Sequence, residues 1–86
     1  MQNKILISCI IIGRNSIREL KKLLESINNQ KYIKQNIEII YIDDQSNDNS
    51  INLFNSFRLK FPSNCYAFKK HAGRMHARLQ GVKLAQ

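Results

Sequence analysis

Eighty-six residues bound the chain to one small domain, and a domain of this size buries only about 60–65 % of the surface its unfolded chain exposes. Thirteen Ile, ten Asn and nine Lys bias the composition, yet 43 % hydrophobic residues exclude the low-hydrophobicity pattern of a disordered chain. Fourteen Lys and Arg against six Asp and Glu give a net charge of +8, which favours anionic partners: a nucleotide, nucleic acid or an acidic membrane surface. No run of five like charges occurs, so a dedicated nucleic-acid tail is not expected and most of the charge reads as solvated helix faces.

Ile5 to Ile12 is almost continuously apolar and β-branched, and Gly13 closes it, which predicts a parallel strand covered on both faces. Ser16 and Glu19 stand at capping-box spacing. Leu20, Leu23, Leu24 and Ile27 then predict a helix with one apolar face, running to about Gln30. Ile37 to Ile42, interrupted only by Glu38, predicts a second strand. It leads into the polar segment Asp43 to Ser50, dense in turn and N-cap residues, with a second helix from about Asp48. Ile51, Phe54, Phe57 and Arg58 suit that helix's buried face and edge. Pro62 and Ser63 mark a break before a third strand at about Cys65 to Phe68. Ala72 to Gln86 predicts a third helix, with Met75, Leu79 and Val82 at helical spacing.

Strand and helix alternate throughout, without internal repeat or linker, which predicts an α/β fold: a Rossmann-like three-layer sandwich on a parallel sheet of about three strands. All three strands then end on one side. The loops Gly13-Arg14-Asn15, Asp43 to Ser46 and Lys69 to Arg74 converge there, at the edge where open α/β sheets bind ligands.

Cys9 and Cys65 lack metal-ligand spacing and lie in or near apolar runs, so both read as buried, reduced thiols of a cytoplasmic protein. Lys4 and the stretch Leu6-Ile7-Ser8-Cys9 superficially resemble a lipoprotein processing site. The apolar run before Cys9 is shorter than the roughly 7–15 residues of a signal h-region, and a strand is the better reading. Nothing approaches the roughly 20 apolar residues of a membrane span, so placement at the inner face of a membrane would need a longer parent chain.

Asp43 and Asp44 close the second strand, and adjacent residues of a strand point to opposite faces, so the two carboxylates can take different tasks. One can accept a hydrogen bond from the N–H of a ligand's base while the other holds the loop or the start of the helix. Capping alone accounts for Ser46 and Asp48 and is insufficient for Asp43 and Asp44.

Ile10-Ile11-Ile12-Gly13-Arg14-Asn15 resembles the first-strand motif of family 2 glycosyltransferases, an apolar strand followed by Pro-Thr-Tyr-Asn or a variant. Leu24 to Tyr32 is similar to that family's helix ending in Gln before an aromatic. Asp43 to Ser50 resembles its D-D-x-S-x-D-x-S motif, and Gly73 to Arg78 with Gly81 to Ala85 its Gly- and Ala-rich third helix. The similarity covers nearly the whole chain in order. It implies the N-terminal part of a GT-A fold and one incomplete nucleotide-sugar-binding domain over residues 1–86. By this resemblance Ile12, Gly13, Arg14 and Asn15 with Asp44 would hold the base and ribose of a nucleotide-sugar donor, and Asp43 would support the site. A UDP-linked donor suits a carboxylate, because uracil N3–H needs an acceptor. Gly73 and Arg74 match the region near the diphosphate, where an Arg can meet phosphate oxygens bidentately. Lys69, Lys70 and His71 add positive potential or form a solvated loop.

The sequence departs from the family pattern at Ile12-Gly13, where Pro-Thr is common, and at Arg14, where Tyr is common, which leaves the base identity open. The Asp-x-Asp-type motif that binds the divalent metal (Mn or Mg), and the carboxylate general base, have no counterpart here. Catalytic residues are therefore not assigned. The resemblance implies a metal held by ligands outside this chain, an unknown carbohydrate or lipid acceptor, and little or no transfer by these residues alone. An apolar first strand at an open sheet edge implies self-association. A non-catalytic nucleotide-binding or interaction module is the alternative. A phosphoacceptor receiver fits poorly, because its acidic pair follows the first strand. Nucleic acid is not expected as a partner, since the aromatics fall mostly at core-like positions rather than on a basic platform.

Overall fold

The computed structural model describes residues 7–30 and 36–85. Ile5 at the expected start of the first strand, Lys31-Tyr32 of the helix-to-aromatic motif, and Gln86 lie outside the described residues. Ile7–Gly13 forms β1, Ile17–Asn28 α1, Ile37–Asp43 β2, Ser50–Ser56 α2, Ser63–Ala67 β3 and Arg74–Leu84 α3. The strands pair in the order β1-β2-β3, both pairings parallel, with Ile7 opposite Ile37 and Ile39 opposite Ser63.

β2 is buried at every position because it is the central strand and has helices on both faces. Its side chains alternate between two cores. Ile39 and Tyr41 join Ile11, Leu20, Leu24 and Phe54 under α1 and α2, with the Tyr41 and Phe54 rings stacked at 5.2 Å. Ile40 and Ile42 join Ile10, Ile12, Phe68 and Ala77 under α3. These are the three layers read from the alternation of strands and helices. Glu38 shares the α3 side of β2; it is buried and accepts the Ser8 hydroxyl at 2.7 Å. Among the described residues β1 and β3 are the sheet's edges. No helix among them is long and apolar enough to cross a membrane.

Several local expectations are corrected. Ser16 occupies the N-cap position of α1 but forms no capping box; its hydroxyl donates to Arg14 O at 3.1 Å instead. Leu23 lies on the solvent side of α1, because Leu20, Leu24 and Ile27 already fill the face toward the core. On α3 the buried residues are Ala77 and Gly81, whereas Met75, Leu79 and Val82 face solvent. The physical reason is close approach: a Cβ at Gly81 would lie 2.5 Å from Ile10 Cγ2, so only the small-residue side of this helix can meet the sheet. Ser46 is not a helix cap but a loop tie, accepting Asn15 N–H at 2.9 Å and donating to Asp43 Oδ1 at 2.6 Å. Asp48 stands one residue before Asn49, the N-cap of α2, and accepts the Ser50 N–H and hydroxyl at 3.0 and 2.6 Å. Tyr66 is an exposed aromatic, and Cys9 and Cys65 are free and half-buried.

Candidate functional site

Three parallel strands deliver three loops to one edge, and side chains from the β2 loop stitch them together. Asp43 is fully buried and turns beneath the sheet edge. Its Oδ1 accepts the Tyr41 hydroxyl and the Ser46 hydroxyl, each at 2.6 Å, and its Oδ2 accepts Ser46 N–H at 2.8 Å. Burial and the adjoining Asp43 carboxylate both push the Tyr41 phenol upward, so it remains a hydrogen-bond donor. The loop after β1 is tied in by Asn15, which donates its N–H to Ser46 and accepts Asn47 N–H at 2.6 Å. Asn15 holds a left-handed φ of 54°, which an Asn tolerates better than a branched residue.

Asp44 points the other way, to the loop between β3 and α3. Its Oδ1 accepts Ala72 N–H at 2.7 Å; its Oδ2 accepts Gly73 N–H at 3.0 Å and stands 2.7 Å from His71 Nδ1. Burial would push this carboxyl up, but the two N–H groups and His71 outweigh it and hold Asp44 below the usual carboxylate value. Gln45, with φ 57°, completes the latch: its amide donates to Lys69 O at 3.0 Å and accepts His71 N–H at 3.1 Å. Gly73 enters α3 with φ 90°, a conformation that favours glycine.

Between the loops lies a cleft of about 340 Å³ lined by Ile12, Gly13, Arg14, Ser16, Asp44, His71 and Arg74. The structure thus brings together Ile12, Gly13, Arg14, Asp44 and Arg74 of the expected set. Asn15, Asp43 and Gly73 stand behind the wall, where they fix the loops. His71 and Ser16 line the cleft as well, and convergence of the loops was the signal that could have included them. Three of the roughly four acceptor positions of the Asp44 carboxylate are used, leaving about one free. A cleft of about 370 Å³ between α2 and β3 is lined by residues such as Phe54, Phe57 and Asn64 and offers no cationic side chain to an anion.

The Glycosyl transferase family 2 model matches residues 8–86. The chain belongs to glycosyl transferase family 2. Among solved structures, that of S. aureus TarS 1-349 superimposes on this family 2 chain with a TM-score of 0.83 and 25 % identity. The match covers 93 % of this chain and 24 % of that one, so the chain spans about a quarter of that structure's length. The architecture is the one expected of a GT-A fold. No match was found among curated proteins.

Family 2 implies a divalent metal, and the acidic pair is the obvious place to test the fit. All four carboxylate oxygens of Asp43 and Asp44 already accept hydrogen bonds from the protein. Among the described residues no three His, Cys, Asp or Glu side chains gather as a metal site. The pair does not fit a cation, and no chemical step is assigned through one here.

Proposed function

We propose that residues 1–86 form the donor-nucleotide-binding unit of a family 2 glycosyltransferase, and that the cleft between Arg14, Asp44 and Arg74 takes the nucleoside diphosphate of a nucleotide sugar. The observation that carries this reading is one cleft lined by two arginines and by one buried carboxylate that keeps an unused acceptor position. Arg74 and Arg14 supply donors for phosphate oxygens in the fork geometry that suits them. Asp44 supplies the acceptor that a uracil N3–H needs.

In the transfer, an acceptor hydroxyl oxygen bonds to the anomeric carbon as the bond to the diphosphate breaks, and the hydroxyl proton passes to a general base. Within that step these residues bind and orient the leaving nucleotide. No general base, acceptor site or metal ligand is assigned among the described residues. The acceptor is a carbohydrate or lipid hydroxyl, and self-association through β1, an edge strand among the described residues, is part of the same reading.

Calorimetric titration with UDP, with and without manganese, tests the proposal on wild type, Arg74→Gln and Asp44→Asn. Arg74 is exposed, so its loss should weaken binding by about tenfold, roughly 1.4 kcal/mol, without unfolding the chain. Metal-independent binding that weakens in both variants is the expected result. Absence of binding by a folded wild-type sample would overturn the reading in favour of a non-catalytic interaction module.

A further inference from the structure

α3 offers the sheet its small residues and solvent its large ones. Ala77 and Gly81 are buried, while Met75, Leu79 and Val82 are 65, 54 and 64 % exposed. At about 100° per residue these three side chains fall within about 60° of one another, on the side opposite the sheet. Arg78 and Lys83, both exposed, flank the row at about 70° to either side. An apolar row of this kind on a helix already seated by its other face is surplus to the chain's own core.

The exposed charged side chains of α3 and of the loop that leads into it are all basic. All six acidic residues precede Asn49, and the stretch from Asn49 to Gln86 carries seven Lys and Arg. Lys69 and Lys70 are exposed in the loop that leads into α3, and Arg74 opens the helix.

We propose that the outer face of α3 is a docking surface for an anionic lipid bilayer. The helix would lie in the plane of the interface, with Met75, Leu79 and Val82 at the boundary between headgroups and acyl chains, and Arg78 and Lys83 beside lipid phosphates. Charge complementarity selects this occupant. A second copy would bring two identical basic flanks together, each on a chain of net charge +8. Nucleic acid would satisfy the cations but leave the aliphatic row uncovered, since bases stack on aromatic or guanidinium planes. A bilayer with acidic headgroups meets both features, and apolar area and basic charge together set the strength of interfacial binding. This proposal stands on the outer face of α3 and is independent of the nucleotide reading.

The test is co-sedimentation of the 86-residue chain with vesicles of phosphatidylcholine alone, or of equal parts phosphatidylcholine and phosphatidylglycerol. Binding to the anionic vesicles alone is expected, with partitioning reduced about tenfold both in Leu79→Gln/Val82→Gln and in Arg78→Gln/Lys83→Gln. All four side chains are exposed, and unchanged circular dichroism would establish that the variants remain folded. Equal partitioning of wild type and the Leu79→Gln/Val82→Gln variant would sink the proposal, since charge alone would then account for binding. So would failure to bind anionic vesicles, whether accompanied by a dimer in sedimentation velocity that this variant abolishes or by binding to a single-stranded oligonucleotide that it retains.

Discussion

Asp44 and Gly73 lie 29 positions apart in the chain, and the carboxylate of the first holds the N–H of the second at 3.0 Å while its other oxygen holds Ala72 N–H at 2.7 Å. One side chain at the end of β2 thereby sets where α3 begins. The helix that carries Arg74 is thus aimed by the same residue that lines the cleft opposite it.

Replacing Asp44 with Asn removes the charge from these bonds and swaps one acceptor for a donor. Hydrogen bonds to a charged group contribute about 1.5–3 kcal/mol, so hydrogen exchange at Ala72 and Gly73 should accelerate by an order of magnitude or more. Exchange in β2 should change little, because the sheet does not depend on this loop. Unchanged protection at both amides would contradict the latch.

Acid should open the same loop before the fold is lost. Asp44 and Asp48 both sit below the ordinary value of 3.8: Asp44 because N–H groups and His71 overcome burial, Asp48 chiefly through the Ser50 hydroxyl, against burial and with help from the Ser50 and Ile17 N–H groups. A folded-state pKa below the unfolded one means the ionised form favours folding. Their contribution is complete well above 3.8 and is lost as the pH falls through the lowered values. A pH series of amide exchange should show the Lys69 to Gly73 loop loosening at acid pH in wild type, with a flatter acid limb in Asp44→Asn.

Gln45 can be separated into its amide and its backbone. Gln45→Ala removes the two bonds to Lys69 and His71 and keeps a non-glycine residue at φ 57°, whereas Gln45→Gly removes the bonds and relieves the strain. Both should expose His71 N–H to exchange. The Gly variant should be the more stable by about 1–2 kcal/mol, measured by urea unfolding. Equal stability would mean that the left-handed backbone costs nothing here.

Gly81→Ala tests how α3 is seated. Helix propensity alone favours Ala by about 1 kcal/mol. The new Cβ would fall 2.5 Å from Ile10 Cγ2, and overpacking typically costs about 1–3 kcal/mol. A lowered urea midpoint, partly restored by adding Ile10→Ala, is expected. A raised midpoint would mean that the helix does not pack on β1 through Gly81.

The alternation of strands and helices was legible because β2 is a run of buried apolar residues and because turn-forming residues follow each strand. Convergence of the three loops follows from parallel pairing, and with it the placement of Arg14, Asp44 and Arg74 around one cleft. What the sequence concealed was direction. Leu23 and the row Met75, Leu79 and Val82 have helical spacing, but spacing cannot say which side of a helix meets the sheet when Ala77 and Gly81 allow closer approach. Ser16 and Glu19 have capping-box spacing, yet the Ser16 hydroxyl finds Arg14 O nearer. The amide of Gln45 reads the backbone 24 and 26 positions away, a pairing with no local sequence signal.

The all-parallel ladder also governs how the chain folds. Ile7 pairs with Ile37 and Ile39 with Ser63, separations of 30 and 24 positions, so no strand can zip onto its neighbour through a tight turn. Each ladder must wait for an entire crossover to close, and the entropy of that closure is lost before any pairing compensates it. Refolding should therefore be slow for so short a chain, limited by the docking of β2 between its two neighbours rather than by formation of the helices.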